Sequence, residues 1–350
     1  MRIALITIWH ENNYGAELQA YATIKAIQAL GHSVKLINIR LSDFEQRSFK
    51  GEIANIFGYI SPAYRKFEKF WSANFSLTQR YRSINELIVN APDADLYMVG
   101  SDQVWNPEIV KGLTDVFFLN FGRESVKRVS YASSFGTETW KFKSRTIQIK
   151  RLLSYFDYVT CREESGVALL RDEFNIEAKC VLDPTLLFRG YPELTGDLDI
   201  KNTLVYYPLY HDPELTQCAQ SLSNILKLQL VNNKNPICLF NNFVWDCNSI
   251  EEWVKNIAET KFVLTRSFHG LAFSLLYERQ FAIIGSKNNR STRIENLLIK
   301  LNLEDRYFNS VSDFERQKPW LREINYSIVS KRLEELRTES WSILKRMLEI

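Results

Sequence analysis

A strand-like run, Lys261-Phe262-Val263-Leu264, leads into Thr265-Arg266-Ser267-Phe268-His269-Gly270 and then into the helix-like Leu271-Ala272-Phe273-Ser274-Leu275-Leu276. This order puts a guanidinium, hydroxyls and an imidazole at a strand-to-helix turn, in a chain that has only four histidines. A helix N-terminus presents unpaired N–H groups and about half a positive charge. Arg266 placed there can hold a phosphate or carboxylate in bidentate fashion. His269 can exchange a proton near neutral pH. Lys287, Arg290 and Arg293 follow the next apolar run, "FAIIG", and add cationic side chains to the same neighbourhood. Their chemical sense is a pocket for a small, multiply charged anion. The plainer alternative is a histidine that only completes local structure.

Three loops nearer the N-terminus share this logic. Asn12, Asn13, Tyr14 and Gly15 follow a first strand and open a helix, where free N–H groups can hold an anion or sugar hydroxyls; a tight turn with an N-cap fits equally well. Ser101, Asp102 and Gln103 leave another strand end, with Trp105 close by. A carboxylate beside an aromatic face can hold and deprotonate a sugar hydroxyl, although an Asx turn with a packed tryptophan has the same letters. In Cys161-Arg162-Glu163-Glu164-Ser165-Gly166, capping accounts for Glu164 and Ser165, and Arg162 is the better candidate for a ligand cleft.

These loops need a frame. "RIALITIW" reads as a strand, and Ala16, Ala20, Ile24, Ile27 and Leu30 recur at helical spacing to Gly31. "HSVKLINIR" completes a βαβ unit, which implies a parallel sheet. Residues 41–90 read as a polar, aromatic, helical insertion with no clear strand. Strand-like runs return from "DLYMVGSD" to "AKCVLDPTLLF", and a second alternating series begins after the turn-rich stretch at 188–202. The expected organisation is an N-terminal Rossmann-like domain at 1–187, a C-terminal one at 188–325, and an amphipathic helix at 326–350 packing back across the junction. Parallel sheets bind ligands beyond the carboxyl ends of their strands, so two such domains are expected to face each other across a cleft.

Composition narrows the function classes. Forty-four basic against 41 acidic residues leave a net charge of +3, too little to drive nucleic-acid binding. The start reads as a buried strand rather than a signal peptide, and no run reaches the roughly 18 apolar residues of a membrane span. Five cysteines without a CxxC pair read as free thiols in a reducing cytoplasm and lack zinc-site spacing. In "SPAYRKFEKFWSANF", basic and aromatic residues interleave. A half-buried covering helix explains this pattern, as does peripheral contact of 54–83 with the inner membrane surface.

Taken in order, "NNYGAELQAYA", "VGSDQVWNP", "SYASSFG", "CREESG", "VLDPTLL", "SFHGLAFSLLYERQF" and "STRIENLL" resemble the polysaccharide pyruvyl transferase family over about 1–40 and 95–305. The resemblance implies a GT-B-like fold and transfer of a pyruvyl group from phosphoenolpyruvate to a sugar as a cyclic ketal, with phosphate released. It implies His269 as acid or phosphate binder and Asp102 as the base. It assigns Arg266, Ser267, Gly270, Lys287, Arg293 and Arg162 to phosphoenolpyruvate. The acceptor falls to Asn12, Asn13, Tyr14, Gly15, Ser101, Gln103 and Trp105. No metal and no cofactor is implied beyond phosphoenolpyruvate as co-substrate, and the partner is a glycan or lipid-linked saccharide. Ser267 stands where some members carry arginine, so the cationic role can pass from Arg266 to Arg293 or Arg162. A glycosyltransferase using a nucleotide sugar, or a glycan-binding member of a synthesis complex, are the competing expectations.

Overall fold

A computed structural model describes residues 1–44, 57–209, 211–233, 238–239, 243–285 and 292–349. The chain divides into two compact units: 1–46 with 72–187 and 335–350, and 47–71 with 188–334. The helices that frame the functional loops are α1 (Tyr14–Ala29), α2 (Pro62–Asn74), α3 (Glu164–Leu169), α4 (Pro213–Leu226), α5 (Ile250–Glu259), α6 (Phe268–Leu276), α7 (Thr292–Leu301) and α8 (Tyr326–Leu348).

The first unit is built on seven strands: β1 (Arg2–Ile6), β2 (Ser33–Asn38), β3 (Leu77–Arg80), β4 (Leu96–Val99), β5 (Lys127–Ser133), β6 (Tyr158–Cys161) and β7 (Lys179–Cys180). They lie in the order β3-β2-β1-β4-β5-β6-β7, all parallel. The winding reverses between β1 and β4, the point at which open parallel sheets bind ligands. Helix α1 starts where Asn13 accepts from the Gly15 and Ala16 N–H groups. It ends at Gly31, whose φ of 80° lets its N–H reach Gln28 and that of His32 reach Ile27. β3 lies inside the stretch expected to hold no strand. It is a four-residue edge strand with no fully buried position, so it carries no alternation to read.

The second unit holds β8 (Thr203–Tyr207), β9 (Gln229–Asn232), a short antiparallel pair β10 (Cys238–Leu239) and β11 (Phe243–Val244), then β12 (Phe262–Thr265), β13 (Gln280–Ile284) and β14 (Tyr307–Phe308). Its main sheet runs β14-β13-β12-β8-β9, again parallel throughout. β8 and β12 are buried at every position, which is why they read as continuous apolar runs.

Helix α2 turns Ala63, Phe67, Phe70 and Trp71 inward. Trp71 packs on Tyr64 and Phe67, and Lys66 donates to Asp246 and the Cys247 carbonyl. Its aromatic stripe is therefore a core face, as the covering-helix reading has it. In the first unit, α8 fixes the chain after β7: Ser340 accepts from the Leu182 N–H, Arg337 donates to Leu186 and Trp341 to Leu187. Among the described residues no helix is long and apolar enough to cross a membrane.

Candidate functional site

In the first unit the loops after β4, β6 and β7 meet in a buried ion network. Arg162, immediately after β6, donates from Nη1 to Asp183 Oδ2 at 2.6 Å and from Nη2 to Asp102 Oδ1 at 3.4 Å. Asp183 also accepts from the Ser101 hydroxyl at 2.9 Å, and its other oxygen takes the Thr185 hydroxyl and N–H. The Arg162 and Asp183 side chains are buried, while Asp102 is 17% exposed. Burial alone would lower the Arg162 pKa, but the charges of Asp183 and Asp102 outweigh it and the net shift is upward. Two carboxylates against one guanidinium leave Asp102 as the partly accessible acceptor of the set.

The backbone holds Asp102 in place. Its φ is 74°, it forms a parallel bridge with Ser133, and its carbonyl accepts from the Ser134 N–H. Thr7 donates to the Ser101 carbonyl and bonds Gln19, which in turn donates to the Ile8 carbonyl. Thr7 and Gln19 thereby tie the β1 and β4 loops together across the winding reversal.

Other candidates on this unit resolve differently. Trp105 is fully buried, stacked on Phe118 at 5.4 Å and donating to the Phe117 carbonyl. This corrects the expectation of an aromatic platform, because no face of the ring is open to a sugar. Tyr14 and Gly15 are likewise buried, and Asn13 is committed to the cap. Gln103 accepts from Asn106 and abuts Gly136, whose φ of 65° brings the backbone against it. Asn12, with φ 48°, keeps a buried Oδ1 without a hydrogen-bond partner. Glu163 occupies the N-cap position of α3 but accepts from Ser134 and the Phe135 N–H instead of capping.

In the second unit, β12 ends at Thr265 and Ser267 caps α6 by accepting from the Gly270 N–H at 3.3 Å. His269 is the second residue of that helix and is 7% exposed. Gly270 is required here: a Cβ would lie 2.6 Å from Thr265 Oγ1. Arg293, near the start of α7, lies 6.0 Å from the ring centre of Phe268, the neighbour of His269. Thr292 Oγ1 beside it is buried without a hydrogen-bond partner. Arg266 donates to Asp212 at 2.5 Å, to Glu214 at 3.2 Å and to the Gly285 carbonyl. Its guanidinium thus joins the ends of β12 and β13 to the start of α4, already matched by two carboxylates. Lys287 and Arg290 lie outside the described residues.

Sequence reasoning missed Asp183, Thr7 and Gln19. Asp183 sits in the quoted "VLDPTLL" and announces itself only as a cap before proline. Thr7 and Gln19 carry no signal beyond being polar at buried spacing.

Solved structures share this architecture at low identity, which speaks to fold alone. A putative UDP-N-acetylglucosamine 2-epimerase from Listeria monocytogenes is 10% identical, with a TM-score of 0.52, covering 95% of this chain and 91% of its own. The spinosyn rhamnosyltransferase SpnG, complexed with thymidine diphosphate, is 12% identical with a TM-score of 0.50 and full coverage of both chains. The fold class is α/β with parallel sheets, of the type found in GT-B glycosyltransferases and epimerases. No curated protein matches the chain by sequence. The family model for polysaccharide pyruvyl transferase matches residues 13–288, most of the chain, so the protein belongs to the polysaccharide pyruvyl transferase family.

Proposed function

We propose that the protein transfers a pyruvyl group from phosphoenolpyruvate to a sugar of a bacterial surface polysaccharide or its lipid-linked precursor, forming a pyruvate ketal and releasing phosphate. The observation that carries this reading is the family match across 13–288. The second unit supplies the chemistry of the donor. The N–H groups at the start of α6 and the Arg293 guanidinium suit the phosphate and carboxylate of phosphoenolpyruvate. His269, in the first turn of α6, gives its proton to the C3 methylene, which leaves an oxocarbenium-like C2.

A sugar hydroxyl oxygen then bonds to C2, and Asp102 takes its proton. Asp102 suits that role because its side chain stays partly exposed beside the buried Arg162 guanidinium. A second hydroxyl of the same sugar attacks C2, the C2–O bond to phosphate breaks, and the proton leaves with phosphate. Neither a metal ion nor a nicotinamide enters these steps. In this reading Arg266 positions the β12 loop and Arg293 takes the anion.

The protein would work at the cytoplasmic side of the inner membrane when the acceptor is lipid-linked. Phe57, Tyr59 and Ile60, exposed just before α2, would then touch the bilayer surface. Absence of vesicle co-sedimentation would remove that part alone.

The decisive experiment incubates the protein with phosphoenolpyruvate and a panel of galactose-, mannose- and hexosamine-terminated acceptors. Phosphate release together with a new ketal methyl signal by NMR is the expected result. Thermal stabilisation by nucleoside diphosphates, with none by phosphoenolpyruvate, would point instead to a nucleotide-sugar donor.

A further inference from the structure

The first unit carries a second cluster of chemistry-bearing side chains, used neither by the ion network nor by the donor chemistry. After β1 the chain turns at Trp9 and His10, the latter with a φ of 65° and 8% exposed. Arg40 follows β2, and Arg80 ends β3 opposite Asn38 in the strand register. All lie at the carboxyl edge of the sheet, on its β3-β2-β1 side. The Arg40 guanidinium stands 5.8 Å from the Trp9 ring centre, and the Trp9 ring meets His10 edge-on at 5.4 Å. Burial first, and then the charges of Arg40 and Arg80, push the His10 pKa down to about 3, so the imidazole is neutral.

The charges and hydrogen bonds of this cluster do not close. Asp43 pairs with Arg80 through Nη2 at 2.8 Å. Among the described residues no carboxylate pairs with Arg40, and its Nε is buried without a hydrogen-bond partner. The Oδ1 of Asn38, a residue 8% exposed, is buried in the same condition, and so is that of Asn12, two residues beyond His10. A buried polar atom left unsatisfied loses its hydration without compensation, and a charged one loses more. An anionic acceptor would complete Arg40, and hydrogen-bond donors would complete the two amide oxygens. Inorganic phosphate offers the first, a neutral sugar the second, and a sugar bearing an acidic group offers both.

We propose that Arg40, Asn38 and Asn12, beside His10 and Arg80, form a subsite for an anionic sugar, with its phosphate or carboxylate on Arg40 and its hydroxyls on the amides. Taking that sugar as part of the glycan acceptor rests on the pyruvyl-transfer reading; the binding itself does not. Phosphorylated and uronic acid sugars share this chemistry, and direct titration separates them.

Calorimetric titration of the full chain, without phosphoenolpyruvate, compares glucose 1-phosphate, glucuronate, glucose and inorganic phosphate. One of the two anionic sugars is expected to bind at least about tenfold tighter than glucose and phosphate, and the stronger one names the source. Arg40→Gln is expected to weaken that binding at least about tenfold while phosphoenolpyruvate binding stays within about twofold. Asn38→Asp, close in shape but negatively charged, gives the same loss and decides the matter if the arginine variant does not fold. Equal binding by the folded variants, or no preference of the wild type for anionic sugars, overturns the proposal. Arg40-dependent binding without ketal formation on any acceptor would refute pyruvyl transfer and leave this subsite standing.

Discussion

Arg162 and Asp183, 21 residues apart in sequence, form a fully desolvated pair at 2.6 Å that joins the loops after β6 and β7. Breaking one side of such a pair leaves an uncompensated charge, at a cost of about 3–5 kcal/mol. Arg162→Met is expected to lose about that much stability in urea unfolding. Asp183→Asn should lose less, because Asp102 still faces the guanidinium. A neutral Arg162→Met variant would show that the network does not organise these loops.

His269→Ala tests the donor chemistry directly. Loss of a positioned general acid lowers turnover about 10²–10⁴-fold. The expected result is that fall in phosphate release from a variant that still folds, since Ser267 rather than His269 caps α6. A folded variant with full activity would remove the assigned role.

Gly270→Ala probes how tightly the His269 turn is built. The new methyl would meet Thr265 Oγ1 at 2.6 Å and Cγ2 at 2.8 Å. Thr265 cannot readily yield, because it donates to the Tyr207 carbonyl and accepts from the Ser267 N–H. Overpacking of this kind costs about 1–3 kcal/mol. Combining the change with Thr265→Ala should destabilise less than the two single effects summed. Simple additivity would mean that the turn relaxes elsewhere.

The buried imidazole of His10 makes stability depend on acid. Its folded pKa of about 3 lies below the roughly 6.5 of an unfolded chain, so the unfolded state takes up the proton first. Stability therefore rises with pH between those values and falls as the solution is acidified through them. From pH 7 to pH 5 this one group accounts for about 2 kcal/mol. His10→Gln should shrink the pH 7 to pH 5 difference in unfolding free energy by about that amount. An unchanged difference would mean that His10 is protonated in the native state.

The parallel α/β character of both units was legible in the chain because strands buried on both faces, such as Phe262–Thr265, are uninterrupted apolar runs. Helix α1 was legible for another reason: its periodicity ends at a glycine that adopts the required left-handed backbone. Trp105 was not legible, since an aromatic residue after a strand has the same letters whether it faces solvent or lies under Phe118. The partners of Arg266 were equally hidden. Asp212 and Glu214 lie more than fifty residues earlier in the chain, and only the pairing of β8 with β12 brings that segment alongside. Where identity depends on local periodicity, sequence suffices; where it depends on which distant loop arrives, it does not.

The left-handed backbone of Asp102 governs which replacements can interrogate it. Asparagine tolerates that conformation and matches the carboxylate in shape, so Asp102→Asn isolates the charge. Alanine resists the same torsion and would drag Ser101 and the β5 bridge with it. An inactive alanine variant would then report a displaced loop as much as an absent base, and the choice of amide over methyl decides whether the result can be interpreted.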